Sequence, residues 1–308
     1  MPTTYLKKAA KTAATDENDV REIVQTILRE IKEGGEDAVK QYASKFDKWE
    51  GPIIITETDI DQATKKLSEQ EKQDIHLAYD RVRTFAQAQR DSMHDFEMTQ
   101  DGVTYGHKHI PVNTAGCYVP GGRYAHVASA IMSITTAKVA GVKQIVACSP
   151  AKPGVGIHPA ILYTINLCGA DTILALGGVQ AVAAMAYGHF SGHKADILVG
   201  PGNAFVAEAK RLLFGEVGID VFAGPSEIAI IADETADPEI VAIDLVGQAE
   251  HGPTSPAWLF TTDRNLAEIV LERVPELIEQ LPETARLAAG AAWKDYGEVV
   301  ICDNPEEI

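Results

Sequence analysis

Gln248 and His251, in the stretch Gly247-Gln-Ala-Glu-His-Gly-Pro253, are the side chains whose types and spacing most directly suggest chemistry. Helical positions three apart share a face. An amide oxygen and an imidazole nitrogen there can converge on one point, such as a zinc ion. Gly252-Pro253 ends the helix at once, which puts the pair at an element terminus. The same spacing suits a solvated helix face, and spacing alone leaves both readings open.

Two glycine-rich turns form a second group. Val119-Pro120-Gly121-Gly122 and Gly200-Pro201-Gly202-Asn203 permit tight backbone turns with exposed N–H groups. Such turns suit a dinucleotide phosphate or ribose, or serve as plain loops. No G-x-G-x-x-G stands between a strand and a helix, so a nicotinamide cofactor must be held without the ordinary Rossmann fingerprint. His107 and His109 alternate on an expected strand and face one side, but no carboxylate or thiol partner is evident nearby.

The elements that must position these groups are legible in outline. Asp16 caps an amphipathic helix over 16–34, in which Val20, Ile23, Val24, Ile27, Leu28 and Ile31 recur at helical spacing and Gly34-Gly35 is the stop. A second helix is predicted over 68–90, and short strands over 53–55 and 103–110. From about residue 118, short apolar strands alternate with helices. The strands are Ile145–Ala147, Ile173–Leu176, Ile197–Val199, Val221–Ala223, Ile228–Ile231 and Trp258–Phe260, each running into small or polar residues. That rhythm predicts an α/β protein with mostly parallel sheets, whose ligands sit beyond the carboxyl ends of the strands.

Composition narrows the classes. The 308 residues suffice for two domains with their own cores. Lys plus Arg number 27 against 44 Asp plus Glu, a net charge of −17. A field of that sign disfavours nucleic acid, while a local Arg can still receive an anionic small molecule. Cys117, Cys148, Cys168 and Cys302 include no C-x-x-C pair, which argues against a disulfide framework and fits a reducing cytoplasm. Neither a signal peptide nor a membrane span is expected.

Six ordered motifs then combine: Tyr118-Val-Pro-Gly-Gly122, Ala137-Lys-Val-Ala-Gly141, Gly177-Gly-Val-Gln180, Gly200-Pro-Gly-Asn-Ala-Phe205, Ala223-Gly-Pro-Ser-Glu227 and Gln248-Ala-Glu-His-Gly-Pro253. Together they resemble the histidinol dehydrogenase family. The resemblance implies a homodimeric enzyme that uses zinc and NAD to oxidise a primary alcohol to a carboxylate through an aldehyde. It also implies two incomplete Rossmann-like domains, one inserted in the other: residues 118–225 as the NAD-binding domain, and residues 1–117 with 226–308 as a split first domain. Carried over, Tyr118, Gln180 and Asn203 resemble NAD contacts, Gln248 and His251 two zinc ligands that also meet substrate, and Ser226 a substrate contact. The family's Glu-His acid–base pair and its other two zinc ligands are expected beyond Ile308. On this reading no catalytic residue lies within the chain, which is taken as C-terminally truncated.

Arg123-Tyr-Ala-His126 and Ser255-Pro-Ala-Trp-Leu-Phe-Thr-Thr262 are closer to the sulfopropanediol 3-dehydrogenase branch, which converts 2,3-dihydroxypropane-1-sulfonate to sulfolactate. An Arg fork matches a sulfonate, and a His adds a donor. Arg123 would serve a carboxylate or the NAD diphosphate equally well, and His126 suits a structural role. Oxidation of L-histidinol to L-histidine remains the alternative substrate reading. An inactive NAD-binding or dimerisation module and a metal-free NAD-dependent dehydrogenase are the alternatives in class.

Overall fold

The computed structural model describes residues 4–11, 17–121, 125–221 and 227–308. The chain forms two compact units, Met1–Asp16 with Pro225–Ile308, and Glu17–Gly224 inserted between those parts in sequence. This division differs from the expected one, in which residues up to 117 go with the C-terminal part.

The chain enters through β1 (Thr4–Lys7) of the split unit. The inserted unit then opens with α1 (Glu17–Tyr42), a π-helical turn over Ala43–Asp47, α2 (Glu57–Thr64) and α3 (Glu69–Asp91). A hairpin follows, β2 (Phe96–Gln100) and β3 (Val103–His107). The Rossmann-like part is β4 (Thr114–Tyr118), the short helices α4 (Val127–Ala130) and α5 (Thr136–Val139), β5 (Gln144–Ser149), α6 (Pro159–Cys168), β6 (Thr172–Ala175), α7 (Gly178–Tyr187), β7 (Ile197–Val199), α8 (Ala204–Leu213) and β8 (Gly218–Ile219).

Its five strands are all parallel, in the order β6-β5-β4-β7-β8. The chain steps outward from β4 to β6 and then crosses back to β7 on the other side of β4. That reversal is a topological switch point, where open α/β sheets leave a crevice. Strand side chains alternate between two cores, Val146 and Cys148 on one face, Ile145 and Ala147 on the other. Burial on both faces explains why these strands read as unbroken apolar runs. The first core is closed by α1, whose Val24, Ile27, Leu28 and Ile31 pack with Val182 and Met185 of α7 and Val206 of α8. This packing is the physical reason residues 17–117 belong with 118–224.

Several local expectations shift. Gly35 adopts φ 61 and ψ −145, breaking α1 as anticipated, but the helix resumes at once and runs to Tyr42. Ser68 and Glu71 form a reciprocal capping box that starts α3 where predicted. Residues 53–55 form only a bridge to β6, through Ile54 opposite Leu174. Of the strand expected over 221–223, Val221 lies outside any strand, and Phe222 and Ala223 lie outside the described residues.

In the split unit, β9 (Ile228–Ala232), α9 (Pro238–Ala249), β10 (Ala257–Thr261), α10 (Arg264–Glu279), α11 (Glu283–Tyr296) and β11 (Glu298–Ile301) complete the chain. The sheet order is β1-β11-β10-β9, with β9, β10 and β11 parallel and β1 antiparallel at one edge. Asp237 and Asp263 cap α9 and α10. Leu245, Leu259, Val270, Val274 and Val299 are fully buried between helices and sheet. The fold is thus α/β with mostly parallel sheets, in two incomplete Rossmann-like units. Among the described residues no helix is long and apolar enough to cross a membrane.

Candidate dinucleotide site and metal donors

Tyr118 closes β4 at the switch point and is only 6% exposed. Its hydroxyl accepts the Gly178 N–H at 3.1 Å. Burial pushes its phenol pKa up, so the group stays neutral and its own proton can be given onward. The preceding amide of the same turn, Gly177 N–H, donates to Asp47 Oδ2 at 3.2 Å. Gln180, in the first turn of α7, donates from Nε2 to the same oxygen at 3.0 Å. Burial raises the Asp47 carboxyl pKa, against which the hydrogen bonds from Gln180 and Gly177 pull it down.

This close packing explains the glycine pair. A Cβ on Gly177 would stand 2.7 Å from Pro150 Cβ and 3.1 Å from Asp47 Oδ1, and Gly178 has φ +60. Gln180 is 1% exposed, and its Oε1 is buried without a hydrogen-bond partner. Such an atom carries a desolvation cost until a donor reaches it. The ribose hydroxyls and carboxamide N–H of NAD are donors of that kind, so these residues fit the cofactor.

The second turn lies between β7 and α8. Gly200 has φ +119, and a Cβ there would meet the Tyr118 carbonyl oxygen at 2.1 Å, so only glycine allows the turn to approach β4. The turn is tied down on both sides. Gly200 N–H donates to Asp220 Oδ2 at 2.8 Å, and Lys210 Nζ donates to the Gly200 carbonyl at 2.9 Å. Lys210, 3% exposed, also ion-pairs with Asp220. Asn203, an exposed residue, caps α8 by accepting from Val206 N–H at its Oδ1 at 3.1 Å, a bond that leaves the amide N–H groups as donors for a ligand. An apolar cavity of about 500 Å³ borders this turn, lined by Ala115, Met132, Val199, Gly200, Pro201 and Asp220 among others.

Tyr118, Gln180 and Asn203 therefore belong to one unit, on elements at the carboxyl ends of its strands, as the topology requires. His126 is half-buried just before α4, at the N-cap position. Arg123 and Ser226 lie outside the described residues. Gln248 lies in the last turn of α9 in the split unit, and His251 N–H donates to the Gln248 carbonyl at 3.1 Å, which keeps both residues on one turn. Among the described residues no group of three or more His, Cys, Asp and Glu could hold an ion. Gln248 and His251 alone do not make a zinc site, because such sites use three or four protein ligands. His107 and His109 sit with rings 5.3 Å apart, but His109 pairs with Asp95 and His107 contacts the His94 carbonyl, so they act within the hairpin.

Asp47, Lys210 and Asp220 were not singled out from the sequence. Neither period nor motif separates any of them from a surface charge; only the partners reached through the fold reveal them.

Comparison with known proteins agrees with this fold. The sequence profile of the histidinol dehydrogenase family matches residues 10–308. A histidinol dehydrogenase homolog of Pelagibacter ubique is 60% identical over 310 residues, covering 100% of this chain and 72% of that protein. The sulfopropanediol 3-dehydrogenase of Ruegeria pomeroyi is 57% identical over 305 residues, covering 99% and 70%. The crystal structure of histidinol dehydrogenase from Elizabethkingia anophelis superposes with a TM-score of 0.86 at 35% identity, covering 97% of this chain and 68% of that one. With its fold, its ordered motifs and the family match over residues 10–308 in agreement, this chain belongs to the histidinol dehydrogenase family of oxidoreductases.

Proposed function

We propose that this protein oxidises 2,3-dihydroxypropane-1-sulfonate to sulfolactate with NAD. The observation that supports this reading is the identity of 57% with the sulfopropanediol 3-dehydrogenase, against 35–40% with the histidinol dehydrogenases it matches. The reaction takes a primary alcohol to a carboxylate through an aldehyde: one alcohol, two NAD⁺ and one water give one carboxylate, two NADH and three protons.

In this account Tyr118, Gln180 and Asn203 hold the cofactor at the switch point. The neutral Tyr118 phenol and the Gln180 amide oxygen supply a donor and an acceptor within one buried cluster. Arg123 pairs with the sulfonate, with His126 and Ser226 as further substrate contacts. A guanidinium gains from a permanent anion and would gain nothing from a cationic amine. Gln248 and His251 are this chain's contribution to a zinc centre and its substrate, and the working protein is a homodimer, as the family resemblance implies. The buried, unpaired cysteines fit the proposed cytoplasmic setting.

The test is NADH formation by the protein at its full natural length, with zinc and NAD, offered the sulfonated diol and L-histidinol side by side. Turnover of the sulfonated diol supports the proposal. Turnover of histidinol alone overturns it and makes the protein a histidinol dehydrogenase.

A further inference from the structure

The turn from β6 through Gly177-Gly178 into α7 has the form that presents a free helix terminus to a dinucleotide phosphate in Rossmann units. Here those amides are engaged inside the protein. Gly177 N–H donates to Asp47 and Gly178 N–H to the Tyr118 hydroxyl. A carboxylate of the chain itself occupies the anion position.

The same oxygen, Asp47 Oδ2, receives Gln180 Nε2. An ionised carboxylate has no proton to give, so the Gln180 amide must turn its nitrogen to Asp47 and its oxygen away. That oxygen is the buried one without a partner. We infer that Asp47 is a positioning residue of the cofactor site: it locks the Gln180 amide so that Oε1 accepts from a hydroxyl or carboxamide donor of NAD, and it closes the α7 terminus to phosphate. This rests on the assignment of Tyr118, Gln180 and Asn203 as NAD contacts.

The role differs from simple structural support. Asp47 reaches the site from the end of the π-helical turn after α1, 130 residues away in sequence from Gly177. Loss of its acceptor frees the amide to rotate and place a donor where NAD also offers donors. Asparagine at 47 offers both a donor and an acceptor, so it keeps the shape but not the polarity of the lock.

The experiment titrates NADH, by its fluorescence, into the full-length protein and its Asp47→Asn, Asp47→Ala and Gln180→Leu variants, with thermal unfolding measured on each without cofactor. Asp47→Asn is expected to keep its melting temperature and to bind NADH about threefold to tenfold more weakly, the worth of one neutral hydrogen bond. The double variant Asp47→Asn with Gln180→Leu is expected to bind no worse than Gln180→Leu alone, because Asp47 acts through that amide. Asp47 variants that bind like the wild type, or additive losses in the double variant, overturn the inference and leave the NAD assignment standing, whereas a Gln180→Leu variant that binds like the wild type overturns the inference together with the assignment of Gln180. A wild-type protein that does not bind NADH overturns both.

Discussion

Replacing Lys210 by methionine tests whether the turn after β7 is held by its buried cation. Lys210 is 3% exposed, and its ammonium bonds to the Gly200 carbonyl and to Asp220. Methionine fills similar volume without charge, so the loss isolates the polar contacts. Removing one partner of a buried ion pair costs about 3–5 kcal/mol, since the other charge is left uncompensated. Asp220 retains the Gly200 N–H and a side-chain exposure of 30%, which places the cost at the lower end, about 3 kcal/mol. For a chain of this size that corresponds to a fall of about 6–12 °C in the melting temperature of the inserted unit. Differential scanning calorimetry reads it directly. Adding Asp220→Asn removes the stranded charge while keeping an acceptor for Gly200, so the double variant should recover roughly 1 kcal/mol or more. A shift under about 2 °C in Lys210→Met, or strict additivity in the double variant, would refute the buried-pair argument.

Three other outcomes can be measured. Arg123→Ala should raise KM for the sulfonated diol by about tenfold to a hundredfold, the worth of a charge-assisted hydrogen bond, and an unchanged KM removes the anion clamp. Burial pushes the Cys117 thiol up to about 12 and Cys168 up to about 11, and also raises Cys148 and Cys302. All four should therefore resist a thiol reagent at mildly alkaline pH until denaturant is added, and a fast-reacting native thiol contradicts this. The Asp47 carboxyl lies above its ordinary 3.8 in the folded protein, so the folded state binds that proton more tightly than the unfolded chain. Stability from this group is then present at low pH and lost as pH rises through the raised value. Urea midpoints should show the wild type gaining on Asp47→Asn as pH falls toward 3.8, and the opposite slope sinks the assignment.

The legible parts of the sequence were those with a strong period or a strong punctuation. The runs at Ile145, Ile173 and Ile197 read as strands because both faces of their sheet are buried. The strand beside them, β4, did not read as one: Thr114-Ala-Gly-Cys-Tyr118 is small and polar in composition, yet every residue of it is buried. Gly116 stands there because a Cβ would meet Leu198 at 2.7 Å and Met185 at 3.1 Å, a constraint of packing that no local pattern carries. Strand β1 was equally invisible, since its partner β11 lies almost 300 residues away. At the site, Tyr118, Gln180 and Asn203 came from ordered motifs. Asp47, which completes the cluster, came from neither period nor motif, because its partners are set by how α1 folds back against α7.

Amide hydrogen exchange with and without NAD tests the central claim, that the cofactor sits at the switch point of the inserted unit. Exchange slows where a ligand suppresses local opening. The account predicts that saturating NAD protects the turn Gly177–Gln180 and the turn Gly200–Asn203 together. Protection confined to the β9–β11 sheet, with both turns unchanged, would contradict it.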